Sequence, residues 1–526
     1  MSFFDLGFAF LFVPIVVLIF IIVPKKVKPL VLLLASYILF FIASKFLIIF
    51  LLLSTLSIFI AGKKLNKIDE LKTKALEKKD IDKKEIKEKF KKKKRRIVLL
   101  VILFNIIFLF IFKYLKFFTI NINSLLDIFK IDYNFTIIKL VAPIGISYYT
   151  LKAISYVVDV YNGKIEADNN FVRLALYLSF FPQILEGPIS KYDEVADNIY
   201  NATKVTYHNF CFGYQRILFG FFKKLIIVDR LNILVKQVFN NYTSFNGLSI
   251  FIGIVSYTML LYMEFSGTMD VVIGTGEIFG ITIPENFRQP FFSKNITDFW
   301  SRWHISLGHF FKDYVFYPVS LSKPLKKITT SLRKKFSVRT SSLVAGGIAL
   351  FCVWFLNGLW HGAGYTYLFF GMYHFLLIFM GNIFEPIIQS ICTRLKISRT
   401  SKKYYSLQII KTSILVFIGE MFFRADSVSQ GFSMLGRMFT RLFVLSKNEF
   451  YRFGLDFYDV ILIIVGLLIV LFIGILKEKN ISVREEIAKK HVVVRWLIYY
   501  LLILSIIILG AYGNSYAPVD PIYADF

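Results

Sequence analysis

Apolar residues run through this chain in long unbroken stretches rather than in alternation. Such stretches lie near residues 5–23, 28–44, 45–62, 97–117, 135–160, 171–187, 209–229 and 248–266. More follow near 296–318, 342–360, 365–389, 407–424, 458–476 and 495–513. A helix needs roughly 20 apolar residues to cross a hydrocarbon core of about 30 Å. Many of the stretches approach or meet that length. Backbone groups in lipid must be satisfied within the segment, which favours helices, and continuous runs are unlike the alternating strands of a barrel. The pattern predicts an all-α polytopic membrane protein with about 11–14 membrane-embedded helices, those interrupted by Gly or Pro being re-entrant or tilted.

Composition agrees. Of 526 residues, 56% are hydrophobic, and a mean hydropathy of +0.61 leaves too little polar surface for a soluble domain of this size. The stretch from Leu6 to Val23 lacks the basic start and small-residue cleavage site of a signal peptide, so it is expected to be the first span. The net charge of +28 changes the picture less than its placement does. Lys and Arg cluster between apolar segments, most densely from Lys63 to Arg96, as in cytoplasmic loops beside anionic lipid. No nucleic-acid-binding motif accompanies them, and no nucleic-acid partner is expected. Placing both basic loops, Lys25–Lys28 and Lys63–Arg96, in the cytoplasm puts the N-terminus outside. Pairs such as Glu85 with Lys89 and Glu88 with Lys92 make the longer loop a solvated or membrane-surface helix. The expected organisation is N-terminal spans over 1–62, a basic cytoplasmic loop over 63–96, and a membrane core over 97–526. Cys211, Cys352 and Cys392 are widely spaced and read as packing residues. No Walker loop or dinucleotide fingerprint occurs, which argues against an ATP-driven pump.

Polar residues inside apolar stretches are the chemical signal, because each costs a few kcal/mol near a helix centre unless paired or hydrated. One concentration runs from Glu264 to Asp313 and includes Asp270, Asp298, Arg302, Trp303 and His304. Asp298 and Arg302 are four apart, the spacing of a neutralising pair on a helix, and Trp300 and His304 share that spacing. His304 and His309 point about 140° apart on a helix, and no HExxH occurs, so no catalytic metal is expected. The second concentration is CVWFLNGLWHGAGYTYLFFGMYHF, residues 352–375. His361 follows a long apolar run, beside Trp360. Asn357 lies one turn earlier, placed to orient the ring, and Gly362, Ala363 and Gly364 leave room for a chain or ligand. A buried neutral imidazole can act as general base, and it can equally serve as a hydrogen-bonded packing residue. His374 reads as structural. Two further segments, VAPIGISYYTLKAISYVVDVY (141–161) and LSFFPQILEGPISKY (178–192, with Glu186), are broken by Pro and Gly. They read as bent or re-entrant, lining a cavity or serving packing.

These motifs together resemble the membrane-bound O-acyltransferase family, in particular its bacterial alginate O-acetyltransferase branch. PIGISYYT, FFPQILEGPI, EFSGTMD, PENFRQPF, FWSRWHISL, GLWHGAGYTY and FFRADS occur in the family's order, and PIYADF at the end matches its tail. Glu186, Glu264, Lys312, Ser320 and Leu321 depart from the branch's usual residues. The resemblance implies helices around a central funnel in a bacterial cytoplasmic membrane. It also implies an enzyme moving an acyl group, acetyl above all, from cytoplasmic acyl-CoA to hydroxyls of an extracellular polysaccharide, with no permanently bound cofactor. The family's essential histidine falls on His361 and its second on His304; Asn357, Trp360, Trp303, Arg302, Asp298, Asp270, Glu264 and Glu186 would support them or line the tunnel. A separate extracytoplasmic acetyl-transferring protein is the implied partner. The alternatives are D-alanyl transfer from a carrier protein to teichoic acid and, in another class, a transporter or flippase.

Overall fold

The computed structural model describes residues 3–77, 82–202, 204–440, 447–512 and 516, so the PIYADF tail lies outside the described residues. Among these residues the regular elements are helices, with an isolated antiparallel bridge between Phe287 and Trp303. Among the described residues, eight helical segments are long and apolar enough to cross a membrane: Lys28–Leu76, Lys83–Ile128, Gly247–Ile278, Val338–His361, Tyr365–Arg394, Lys402–Arg424, Phe457–Glu478 and Val492–Leu509. Phe8–Ile22 is a shorter apolar helix. Several predicted stretches are short or broken instead. Residues 131–143 have no regular structure and the helix begins only at Ile146. The 171–187 stretch gives a helix of nine residues, Phe171–Ser179. The 296–318 stretch breaks at His304.

The chain divides into two compact units, one of Met1–Gly213 with Val272–Pro284, the other of Tyr214–Val271 with Glu285–Asp525. In the first, α1 (Lys28–Ser44) meets α2 (Ile48–Leu76) at a tight turn where Lys45 takes a positive φ. α2 and α3 (Lys83–Leu109) pack against each other. The basic stretch predicted as one surface helix is thus two helical extensions, carrying α2 on to Leu76 and starting α3 at Lys83. Lys94 Nζ ties them to Asp69 at 2.6 Å. Deeper, the Ser54 hydroxyl donates to Asn105 Oδ1 at 2.6 Å, as a polar pair removed from water requires.

The two Pro/Gly-broken motifs pack together. α4 (Ile146–Asn162) starts after Gly145, and α5 (Phe171–Ser179) stops before Pro182, which disfavours helix at the preceding residue. Residues 180–190 are buried throughout despite lacking helix. Phe181 N–H donates to Ser36 Oγ at 3.0 Å and Gln183 Nε2 to Ser190 Oγ at 2.8 Å, while beside the segment Lys152 Nζ donates to Tyr177 O at 2.6 Å. Gly145 has φ +69°, and a Cβ there would sit 1.8 Å from Ile184 O.

The second unit takes in α6 (Tyr207–Phe222) from Tyr214 onward. A π-helical turn, Lys223–Val228, leads into α7 (Asp229–Asn240), followed by α8 (Gly247–Ile278), most of which belongs to this unit. Two short helices, α9 (Ile296–Arg302) and α10 (Ile305–Phe311), precede the amphipathic α11 (Lys323–Arg333). Then α12 (Val338–His361), α13 (Tyr365–Arg394) and α14 (Lys402–Arg424) run up, down and up as neighbours. The helices α15 (Phe457–Glu478) and α16 (Val492–Leu509) follow.

Gly145 and Gly163 test the packing directly. Both have φ near +70°, but a Cβ on Gly163 meets nothing within 4 Å. Gly163→Ala should therefore cost only the backbone strain of about 1–2 kcal/mol. Gly145→Ala should lower the thermal midpoint much further, measured by size-exclusion of heated detergent-solubilised protein.

Candidate active site

The polar residues of α8 are met by cations from α6 and the turn after it. Lys223 Nζ donates to Asp270 Oδ2 at 2.7 Å and to Ser266 Oγ at 3.0 Å. Arg216 Nε donates to the other Asp270 oxygen at 3.0 Å, and its terminal nitrogens grip both Glu285 oxygens at 2.7 and 2.6 Å. Lys224 Nζ lies 3.0 Å from Glu264 and 3.3 Å from Asp229. Further along, Arg230 Nε donates to Asp459 Oδ1 at 2.7 Å. The π-turn widens the helix just where two consecutive lysines, Lys223 and Lys224, are both buried. Burying charges this way is tolerable only because each is paired.

The same helix supports the FWSRWHISL turn. α9 ends at Arg302, and His304 adopts φ 47°, ψ 53° before α10 begins. The turn is clamped by Asn286, which is fully buried. Asn286 Oδ1 accepts from Ser306 N at 3.0 Å and Ser306 Oγ at 2.9 Å, and lies 3.3 Å from His304 Nδ1. Its Nδ2 donates to Met269 Sδ of α8 at 3.4 Å. With Oδ1 so assigned, His304 carries its proton on Nδ1 and presents a lone pair at Nε2. Nε2 has no hydrogen-bond partner among the described residues. His304 is only 2% exposed, and burial away from water favours its neutral form.

His361 closes α12, which stops at Gly362. Its ring packs edge-on to Trp360 (centroids 4.9 Å apart), Phe423 (5.1 Å) and Phe370 (5.8 Å). Trp360 also takes the His304 ring at 5.5 Å, and Phe265 of α8 lies 4.8 Å from the other side of His304. Trp360 thus bridges the two histidines. The space beside Gly362 is filled rather than open: a Cβ there would sit 2.3 Å from the Tyr367 ring. Asn357 is buried one turn back, but its Oδ1 makes no hydrogen bond among the described residues, so it does not orient His361 through that atom.

The other sequence candidates separate cleanly. Trp300 does not share a helical face with His304, because the helix ends between them; its Nε1 instead donates to His374 Nδ1 at 3.2 Å. Asp298 and Arg302 pair as expected, at 2.8 Å, and Arg302 also reaches Glu478 at 2.7 Å. Trp303 stacks in a packing cluster with Phe299 and Phe287. Glu264 and Asp270 belong to the ion pairs, and Glu186 is buried in the first unit within the 180–190 segment. His361, His304 and Trp360 come together, with Asn357 a turn away. Asn286, Phe423 and the cations Arg216, Lys223 and Lys224 were not singled out from sequence, although two adjacent lysines in an apolar run carried a signal.

Comparison with known proteins bears on this geometry. The family model described as MBOAT, membrane-bound O-acyltransferase family, matches residues 165–332. The chain is 30% identical over 395 residues to a probable alginate O-acetylase of Pseudomonas aeruginosa, covering 75% of this chain and 70% of the relative. It is 32% identical over 329 residues to one from Pseudomonas putida, covering 62% and 61%. A teichoic acid D-alanyltransferase of Bacillus subtilis is 33% identical over 249 residues, covering 47% and 60%. The matches thus span from 60% to 70% of these relatives' lengths.

A structural role for Asp270 has a measurable signature. Asp270→Ala leaves Lys223 buried without its carboxylate and should cost about 3–5 kcal/mol. The loss should appear as a lowered thermal midpoint and a reduced monodisperse fraction, whatever substrate is supplied.

Proposed function

The chain belongs to the membrane-bound O-acyltransferase family, and on that premise we propose that it moves an acyl group, acetyl in the first instance, from cytoplasmic acyl-CoA to a hydroxyl of an extracellular polysaccharide. The observation that carries this reading is the pair of buried histidines on one indole, His361 and His304 against Trp360. Two relatives named as probable alginate O-acetylases support acetyl as the group and a polysaccharide as the acceptor.

The charge pattern supports the direction. α12 is about 36 Å long at 1.5 Å per residue, with His361 at one end. At the other end Lys323, Lys326, Lys327, Arg333, Lys334 and Lys335 precede it and Arg339 lies in its first turn, without an intervening acidic residue, and Arg394, Lys396, Arg399, Lys402 and Lys403 lie where α13 joins α14. Positive charge faces the cytoplasm, which puts the donor's phosphates at that end and His361 toward the outer face of a bacterial cytoplasmic membrane. The N-terminus lies outside by the same rule.

In the reaction, the acceptor oxygen forms a bond to the thioester carbonyl carbon while the C–S bond breaks. His361 takes the hydroxyl proton and returns it to the departing thiolate, giving ester and free CoA thiol. His304, with a lone pair at Nε2, accepts a hydrogen bond and so orients the attacking hydroxyl. Its tautomer does not suit it to donate to an oxyanion. The Asn357 amide is the nearby donor for that charge. An extracytoplasmic acetyl-transferring protein completes delivery to the polymer.

Purified protein in proteoliposomes, given acetyl-CoA and acceptor, should release free thiol, and His361→Ala should reduce release by about a hundredfold or more. Near-normal release by folded His361→Ala sinks the assignment. Substrate flux without CoA release indicates a transporter. Turnover with a D-alanyl carrier protein alone indicates the activity named for the B. subtilis relative.

A further inference from the structure

His374 lies on α13 and is fully buried among rings from three helices. Trp300 of α9 meets it edge-on with centroids 4.9 Å apart, Trp354 of α12 stacks on it at 5.4 Å, and Phe370 of α13 lies at 4.7 Å. A hydrogen bond crosses this apolar cluster: Trp300 Nε1 donates to His374 Nδ1 at 3.2 Å. An indole nitrogen can only donate, so Nδ1 accepts and the neutral ring carries its proton on Nε2. Nε2 has no hydrogen-bond partner among the described residues. Gly419 of α14 comes up against it, and a Cβ there would sit 2.6 Å away. A buried donor without an acceptor costs free energy, and a leucine would fill the same space without that cost. What the imidazole supplies, and an apolar residue could not, is the acceptor at Nδ1.

The elements joined by that bond are the ones that carry the two histidines of the site. α9 ends at Arg302 and runs into the left-handed turn at His304, four residues after Trp300. On the other side, His361 closes α12 and α13 begins four residues later. Trp354 sits on α12 about two turns before His361. Phe370 packs on both imidazoles, with centroids 5.8 Å from His361 and 4.7 Å from His374, and lies 5.9 Å from Trp300. Apolar burial is non-directional and lets one helix slide on another, whereas a hydrogen bond weakens steeply as its angle is lost.

We propose that the Trp300–His374 hydrogen bond sets the spacing of His304 and His361, which makes His374 and Trp300 positioning residues for acyl transfer. The bond locks α9 to α13 and so holds the His304 turn at one distance from the end of α12. Neither residue handles a proton or touches the acyl group. The assignment rests on the acyltransferase reading above. It concerns the geometry of the transfer step and not the capture of the donor, whose phosphates sit at the basic end of α12, so loss of the bond is felt in kcat.

The test uses inverted membrane vesicles from the producing cells, each variant replacing the native chain, so that acceptor and partner are present and acetyl-CoA reaches the cytoplasmic face. The rate is the free-thiol release above that of His361→Ala vesicles. Trp300→Phe removes the donor and keeps an aromatic ring. It should lower kcat about tenfold or more, since small misplacements of reacting groups are costly, and leave the acetyl-CoA KM unchanged. His374→Leu should lose as much, and the double variant should be no slower than either single, because all three lack the same interaction. His374→Asn, whose Oδ1 can stand where Nδ1 stood, should recover most of the rate. Leucine fills the cluster better than asparagine, so packing alone makes His374→Leu the faster of the two; that order overturns the proposal. An unchanged kcat in Trp300→Phe overturns it as well, as do losses that multiply in the double variant. If His374→Leu gives no monodisperse protein, Trp300→Phe decides, and failure of both overturns the proposal by making the pair a folding element. Wild-type vesicles that release no more thiol than His361→Ala vesicles count instead against the acyltransferase reading.

Discussion

The ion pairs on Asp270 are the constraint on which the site depends. Lys223 and Arg216 hold both oxygens of that carboxylate, which fixes the rotation and height of α8. On the same helix, Phe265, a little over one turn before Asp270, supplies the wall against His304, and the adjacent Met269 takes the amide of Asn286. Asn286 in turn holds the backbone turn that aims His304 at Trp360. A charge pair in a dry interior contributes little net stability, because desolvation offsets the attraction. What it contributes here is register: slide α8 by one residue and the carboxylate, the phenyl wall and the clamp all lose their partners together.

Satisfied and unsatisfied polar groups thus divide the membrane interior into two kinds of residue. Glu264, Asp270, Asp298 and Arg302 have their partners within the chain and read as parts of the frame. His304 Nε2 and Asn357 Oδ1 make no hydrogen bond among the described residues. They gather with His361 near the end of α12 that lies away from the basic loops. Where water is excluded, an unmet hydrogen-bonding group costs about 1–3 kcal/mol. Two of them converging on one region is the arrangement expected where substrate supplies the missing partners.

Much of the fold was legible in the sequence. Long apolar runs gave the spanning helices, and the Pro and Gly breaks at 143–145 and 182–188 marked the buried irregular segment. The breaks also showed what hydropathy cannot see. Residues 131–143 are apolar enough to continue a helix, yet have no regular structure, and the 296–318 run is interrupted because His304 turns left-handed. Helical spacing therefore misplaced Trp300 beside His304. His361 stood out in the sequence as a polar ring in an apolar run, open between packing and catalysis until the resemblance marked it as the family's essential histidine, whereas Asn286 did not stand out, since a clamp is defined by the turn it holds. The glycines after His361 read as vacant space, but Tyr367 occupies it; small residues announce close approach without saying what approaches.

The left-handed backbone at His304 narrows what can ever stand at that position. Asparagine, aspartate and glycine tolerate φ 47° far better than other residues, so the set of exchanges that remove the imidazole without disturbing the turn is very small. An alanine there would confound loss of the ring with strain in the loop that carries it. Asparagine removes the imidazole at the least cost to the turn, so it is the exchange that separates the part played by the ring from the part played by the backbone.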